Sequence, residues 1–187
     1  MEKKETNPSV YYTGNYKKRN DLLLTMIEPY IPEDCVILDI AAGSGYIANK
    51  LLENEKVIKY YWNDINEIII EDVKQRIDNK KIEFAIFDAN KPKINFEEIN
   101  LFISISLEHI TNDKKLLRNL KPNTLIVICS PNFDSHQHVR YFEEMKNFEK
   151  RYEDIIDIVA NATIINKKSK SKIIKKYIIC GFKKNEN

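Results

Sequence analysis

The stretch from Cys35 to Gly45 constrains this chain more than any other. It opens with Cys35-Val36-Ile37-Leu38-Asp39-Ile40, an apolar run interrupted by one acid. Such a run reads as a strand buried on both faces, the pattern of a parallel sheet. It ends in Ala41-Ala42-Gly43-Ser44-Gly45, five small residues. Only 4 glycines occur in 187 residues, and two of them sit here, one residue apart. Glycine reaches positive φ without steric cost, so this placement marks a backbone that turns sharply or lets something approach closely. Behind the turn, Ile47, Ala48, Leu51 and Leu52 fall on one helix face.

The same alternation continues along the chain. Leu22, Leu23, Met26, Ile27 and Tyr30 predict a helix over residues 17–30, closed by Pro29 and Pro32. Val57–Asn63 reads as a strand, and Ile65, Ile69, Val73 and Ile77 as a helix stripe. Lys81–Phe87 and Ile99–Ser106 are strand-like, residues 112–120 helical up to Pro122, and Thr124–Ser130 a further strand. Phe142, Met145, Phe148 and Tyr152 mark the last helix. Two more strand-like runs, Ile155–Ile165 and Lys172–Phe182, flank the polar turn Asn166-Lys167-Lys168-Ser169-Lys170. The pattern predicts an α/β chain with a seven-stranded, mostly parallel sheet, helices on both faces and a C-terminal antiparallel hairpin. Without a repeat or a linker, residues 1–187 read as one domain. Residues 1–16, with Tyr11, Tyr12 and Tyr16, read as an arm or lid.

Composition narrows the function. An apolar share of 43% supports one full core, and a net charge of +2 argues against a generic electrostatic binder of nucleic acid. No apolar run approaches the roughly 18–20 residues of a membrane helix, and the start of the chain has no signal-peptide pattern. Cys35, Cys129 and Cys180 have no metal-site spacing and read as reduced thiols, which suggests a cytoplasmic protein.

In an open α/β sheet, ligands bind beyond the C-terminal ends of the strands, where strand order reverses. The small-residue turn lets a ligand approach, and the helix behind it offers free N–H groups. The second strand ends in Trp62-Asn63-Asp64, where a carboxylate can accept both hydroxyls of a ribose.

At this point the chain resembles the class I S-adenosylmethionine-dependent methyltransferases. Their strand–acid–x–Gly–x–Gly–x–Gly motif matches Asp39 to Gly45, and their second-strand acid matches Asp64. Their third-strand acid, near the adenine amino group, matches Asp88 in Phe87-Asp88-Ala89. The segment after strand four matches Leu107-Glu108-His109-Ile110, and the Leu-Lys-Pro before strand five matches Leu120-Lys121-Pro122. The resemblance implies a Rossmann-like fold, S-adenosylmethionine as cofactor and S-adenosylhomocysteine as product. It assigns the cofactor to Asp39, Ala41, Gly43, Gly45, Asp64, Ile65, Asp88, Ala89 and Ser106. Two positions depart from the family pattern. Ala41 stands at the first glycine, so this turn runs at negative φ or is strained. Asn100 stands where an acid commonly opens strand four.

Other readings weigh less. Gly43-Ser44-Gly45-Tyr46-Ile47-Ala48 also fits a dinucleotide fingerprint, but the Asp39 carboxylate would repel a pyrophosphate and attract a sulfonium bearing an ammonium group. Asp64 could be only a helix N-cap, and Asp88 only a loop start. Glu108, His109, His136 and His138 resemble the metal ligands of small-RNA 3′-terminal 2′-O-methyltransferases. Ile105 replaces one ligand of that set, so no metal is expected. His109, His136 and His138 are the candidates for a catalytic base. His136, His138 and Arg140 alternate, which in an extended segment points all three at the acceptor. The acceptor reads as a small metabolite or sugar unit. An RNA or nucleotide acceptor, using the lysines of residues 167–176, is the second reading, and a catalytically silent partner subunit the third. No membrane partner is expected.

Overall fold

A computed structural model of the chain describes residues 14–168 and 172–185. Of the arm or lid expected over residues 1–16, Tyr11 and Tyr12 lie outside the described residues, as does the tip of the basic turn at Ser169-Lys170-Ser171, while Tyr16 belongs to a helix that begins at Gly14. Seven strands form one sheet: β1 (Cys35–Ile40), β2 (Val57–Asn63), β3 (Ile82–Phe84), β4 (Leu101–Ser104), β5 (Leu125–Pro131), β6 (Ile156–Lys168) and β7 (Lys172–Lys183). Across the sheet they run in the order β3-β2-β1-β4-β5-β7-β6. The first five pair in parallel, and β7 lies antiparallel between β5 and β6. Strand order therefore reverses between β1 and β4, and a crevice opens beyond their C-terminal ends.

The burial of β1 explains its continuous apolar run. All six of its residues are buried. Cys35 and Ile37 point to one face, where they meet Leu23 and Ile27 of α1 (Gly14–Ile27), Ile47 and Leu51 of α2 (Tyr46–Leu51), and Ile69 and Val73 of α3 (Glu67–Arg76). Val36, Leu38 and Ile40 point to the other, toward Leu116 and Leu117 of α4 (Asp113–Arg118) and Phe148 and Tyr152 of α5 (Met145–Tyr152). By this alternation Asp39 falls on the α1–α3 face. The three cysteines are free and buried. Burial pushes the thiols of Cys35 and Cys180 up to about 12, so they act as small apolar groups.

Several elements differ from the sequence pattern. The third strand stops at Phe84 rather than Phe87, because the Asn63 side-chain amide takes the carbonyls of Ala85 (2.6 Å) and Phe87 (3.0 Å) and turns the chain away. The fourth strand ends at Ser104, and Ile105 and Ser106 turn into a short 3₁₀ helix, Leu107–His109. Phe142 precedes α5 but still packs against Phe148, with ring centroids 4.9 Å apart. The hairpin is longer than expected: its strands extend to Lys168 and resume at Lys172, so Asn166 to Lys168 belong to β6. Where β6 and β7 meet at a bulge, a Cβ on Gly181 would lie 2.2 Å from the Asp157 carbonyl oxygen. Only glycine permits that approach.

Asn100 lies at the far end of the sheet from the crevice. Its Oδ1 accepts from Val36 N at 3.0 Å, its N–H reaches Val36 O at 2.9 Å, and its carbonyl accepts from Leu125 N at 2.9 Å. It staples β1, β4 and β5 at their starts. The departure from an acid there does not touch the crevice.

Candidate active site

The turn after β1 carries the strongest local constraint in the molecule. Ala41, Gly43 and Gly45 all have positive φ, at 55°, 62° and 73°. The alternative of a negative-φ turn at Ala41 is thus excluded, and alanine occupies a left-handed position that disfavours a Cβ. The two glycines are needed for different reasons. A Cβ on Gly45 would meet Val73 Cγ1 at 2.9 Å and Ile77 Cδ1 at 3.0 Å, so α3 packs directly on the backbone. A Cβ on Gly43 would meet nothing within 4 Å, so that position faces open space.

The turn is fixed from β2 and α3. Ala42 N donates to Asn63 O at 2.9 Å, and Gly43 N donates to Asp64 Oδ2 at 3.1 Å. Arg76 Nη2 donates to Ser44 O at 2.9 Å. Asp64 Oδ1 accepts from Asn66 N at 2.9 Å, while Asn66, not Asp64, caps α3 by accepting from Ile68 N. Asp64 is therefore more than a helix cap. A carboxylate offers about four acceptor positions, so these two bonds leave capacity for ligand hydroxyls. Asp88 is exposed and accepts from Asn90 N at 2.8 Å, the loop-start geometry. Ala89 is half-buried against the α4–α5 layer, and Ser106 is half-buried at the head of the 3₁₀ turn. Ile65 and Ile86 extend from the adjacent ends of β2 and β3 and are 71% and 57% exposed, an apolar surface fit to cover a flat ring.

Asp39 lies under this turn with 0% exposure. Its Oδ2 accepts from the Tyr60 hydroxyl at 2.7 Å, and its Oδ1 is buried without a partner among the described residues. Burial, joined by the charge of Asp64, pushes its carboxyl up to about 7 against the Tyr60 hydrogen bond and the charge of Arg19.

The other side of the crevice follows β4 and β5. Here Glu108, His109 and His138 offer atoms that all lie within 4.8 Å of one another. His109 Nδ1 faces Gln137 O at 2.9 Å, and His138 Nδ1 faces Phe133 O at 3.1 Å. A carbonyl only accepts, so each neutral ring carries its proton on Nδ1 and its lone pair on Nε2. The rings meet edge to face, 5.1 Å apart. Glu108 is buried. Its Oε1 accepts from Lys176 Nζ at 3.0 Å and lies 4.0 Å from His138 Nε2, and its Oε2 has no partner among the described residues. The trio has ligand-type atoms for a cation, but the Lys176 ammonium already neutralises the carboxylate.

The expected alternation of His136, His138 and Arg140 does not form. His138 N donates to Ser135 O at 2.9 Å, so residues 135–138 make a turn rather than an extended segment. His136 sits exposed on that turn, apart from the other two histidines. Arg140 points inward. It donates to the carbonyls of Leu107, Ile110 and Thr111 and lies 3.1 Å from Asp113. Burial works against the Asp113 charge, but hydrogen bonds from Arg151 and Tyr152 and the charge of Arg140 hold its carboxyl below the usual range. Arg140 thus fixes the loop after β4 through these partners. One charged group beside the histidines escaped the sequence reading: Lys176, which pairs with Glu108, is hidden in a run of lysines.

Residues 31–179 match the model of a family described as a methyltransferase domain. A malonyl-[acyl-carrier protein] O-methyltransferase of Acetivibrio thermocellus is 26% identical over 143 residues, covering 74% of this chain and 48% of the relative. The chain thus spans about half the length of that relative. The N-methyltransferase NodS of Bradyrhizobium japonicum, solved with S-adenosylhomocysteine, superposes with a TM-score of 0.72 at 16% identity, over 93% of this chain and 89% of that one. A SAM-dependent methyltransferase of Aquifex aeolicus does so with a TM-score of 0.66 at 15% identity, over 94% and 99%.

Two predictions follow from the geometry of the turn. Ala41→Gly relieves a left-handed alanine, worth roughly 1–2 kcal/mol, against about 0.5–1 kcal/mol of unfolded-state entropy. The variant is expected to melt about 1–3 °C higher by scanning calorimetry, and a lower melting temperature would contradict the strain. The second concerns Asp39, which ionises near 3.8 when unfolded and near 7 when folded. A raised carboxyl contributes full stability below pH 4 and loses it as pH rises toward 7. Asp39→Asn does not titrate, so its stability relative to wild type is expected to rise through that window, by up to about 4 kcal/mol. Denaturant unfolding at pH 4 and pH 8 checks this, and an equal difference at both would refute it.

Proposed function

The chain belongs to the methyltransferase-domain family, and from that premise we propose that it transfers the methyl group of S-adenosylmethionine to a small metabolite or sugar unit, with His109 as the base. The single observation that carries this is the left-handed turn at Ala41, Gly43 and Gly45 locked to Asp64, beside the open space at Gly43. Asp64 would hold the ribose hydroxyls at its free acceptor positions, and Ile65, Ile86, Asp88, Ala89 and Ser106, in the turn after β4, would hold the adenine ring. Bound there, the cofactor would supply an activated methyl group at its sulfonium.

The methyl on a sulfonium is already activated, so the protein chiefly aligns donor and nucleophile. A hydroxyl acceptor also needs a base. His109 is exposed and offers Nε2 with its lone pair, because Gln137 O holds the proton on Nδ1. His138 is mostly buried and turns Nε2 toward Glu108, so it positions His109 through ring contact rather than taking the proton. His136 stands outside this cluster and is assigned no proton transfer. An oxygen acceptor is compatible with the O-methyltransferase among the relatives, whose own substrate is a malonyl group on a carrier protein.

The test is a methyl-transfer screen over sugars, hydroxy acids, nucleotides and RNA, with the best acceptor carried into variants. His109→Ala is expected to cut turnover about 100-fold or more, and His136→Ala to leave it within about twofold. His138→Ala, which loosens the ring without removing the base, is expected to fall between them. Wild-type turnover in His109→Ala would remove histidine base catalysis, and methylation of RNA alone would replace the acceptor class.

A further inference from the structure

The two edges of the sheet are built differently. At one edge lies β3, three residues long with Glu83 at its centre. A short strand and an edge charge both discourage pairing with another chain. At the other edge lies β6, 13 residues long. Its stretch Ile158-Val159-Ala160-Asn161-Ala162-Thr163-Ile164-Ile165-Asn166 holds no charge, proline or glycine, in a chain with 31% charged residues. One bulge lies near its start, at Val159, and beyond it the ladder with β7 is regular up to Lys168. Among the described residues, no other backbone segment bonds to β6. The N–H and C=O groups on its outer side therefore stand open to a further strand.

The side chains of β6 say which strand fits. Ala160, Ala162 and Ile164 pack on the core beneath α1. Val159 and Ile165 are 44% and 58% exposed, and Asn161 and Thr163 are exposed between them on the opposite face. In residue class the stretch is symmetric about Ala162. Paired antiparallel with a second copy of itself around a twofold axis at Ala162, it sets Val159 opposite Ile165 and Asn161 opposite Thr163. On the other face Ala160 meets Ile164, and Ala162 meets its own copy. The pairs are thus two β-branched groups, two hydrogen-bonding groups, and a small group beside a large one. Two positions further, the same register brings Asp157, exposed beside Lys184 of its own chain, level with Lys167 of the second copy. Opposite charges therefore meet at both ends of the pairing. A second copy of this chain makes each of these matches twice, as a self-complementary interface requires.

We propose that the chain forms a homodimer by antiparallel pairing of β6 with β6 of a second copy, which joins the two sheets into one. β6 runs parallel to β5, because each is antiparallel to β7. Antiparallel pairing of the copies therefore turns their crevices to opposite ends of the joined sheet. Each crevice stays open, and the dimer does not rest on what the crevice binds.

Sedimentation velocity of the full chain across the micromolar range tests this, with circular dichroism to report the fold. The wild type is expected to reach twice the chain mass by roughly tens of micromolar. Val159→Glu and Ile165→Lys each set a charge opposite an apolar partner, twice per dimer. Each is expected to keep the wild-type spectrum and to dimerise about tenfold or more weakly. The double variant Val159→Glu/Ile165→Lys sets each carboxylate opposite an ammonium of the second copy, and is expected to return to within about threefold of the wild type. A wild type that stays monomeric throughout the range overturns the proposal, whatever then covers the edge. So do single variants that dimerise like the wild type, and a folded double variant no tighter than the singles, because those two positions then do not face each other.

Discussion

Between Ala41 and Gly45 the backbone enters the left-handed region three times at alternate residues. Each entry costs conformational freedom or strain, and the surroundings over-determine the result. Asp64 and Asn63 hold the turn from β2, Arg76 holds Ser44 from α3, and Val73 and Ile77 press on Gly45. The placement of α2, the open space at Gly43 and the presentation of Asp64 all depend on this turn. Replacing the first glycine by Ala41 retains the geometry and accepts the strain.

The two halves of the crevice are built differently. The half at the ends of β1 and β2, proposed for the donor, is made mainly of backbone. The half after β4 and β5, proposed for the acceptor, is made of loops whose anchors are charges. Asp113 gathers Arg140, Arg151 and Tyr152, and Arg140 clamps the carbonyls after β4. The Glu108–Lys176 pair ties that same segment to β7. On the proposed assignment, a backbone-built donor half and a loop-built acceptor half suit a chemistry in which alignment does most of the work.

The sheet, its order of elements and the turn were legible because strand and helix periods and small residues write themselves into local sequence. β1 is the clearest case: six buried residues were visible as one apolar run. Asp64 was legible as a strand-end acid, yet its bond to Gly43 N was not, because that contact joins residues 21 apart in sequence. Arg140 was misread because alternation predicts one face only in an extended segment, and the turn at 135–138 breaks the extension. The pairing of His109 with His138 likewise depends on two loops meeting in space. Arg19 reads as one more cation on a solvated face, since its burial leaves no mark on the neighbouring residues.

If the turn and Asp64 together make an adenosyl site, calorimetric titration of S-adenosylhomocysteine into wild type and Asp64→Ala detects it. One micromolar site per chain is expected in the wild type, roughly −7 to −8 kcal/mol, with the affinity lowered by about 10- to 100-fold in a folded variant that loses both the ribose contacts and the hold on Gly43. Absence of binding to the wild type, or unchanged affinity in folded Asp64→Ala, would contradict it.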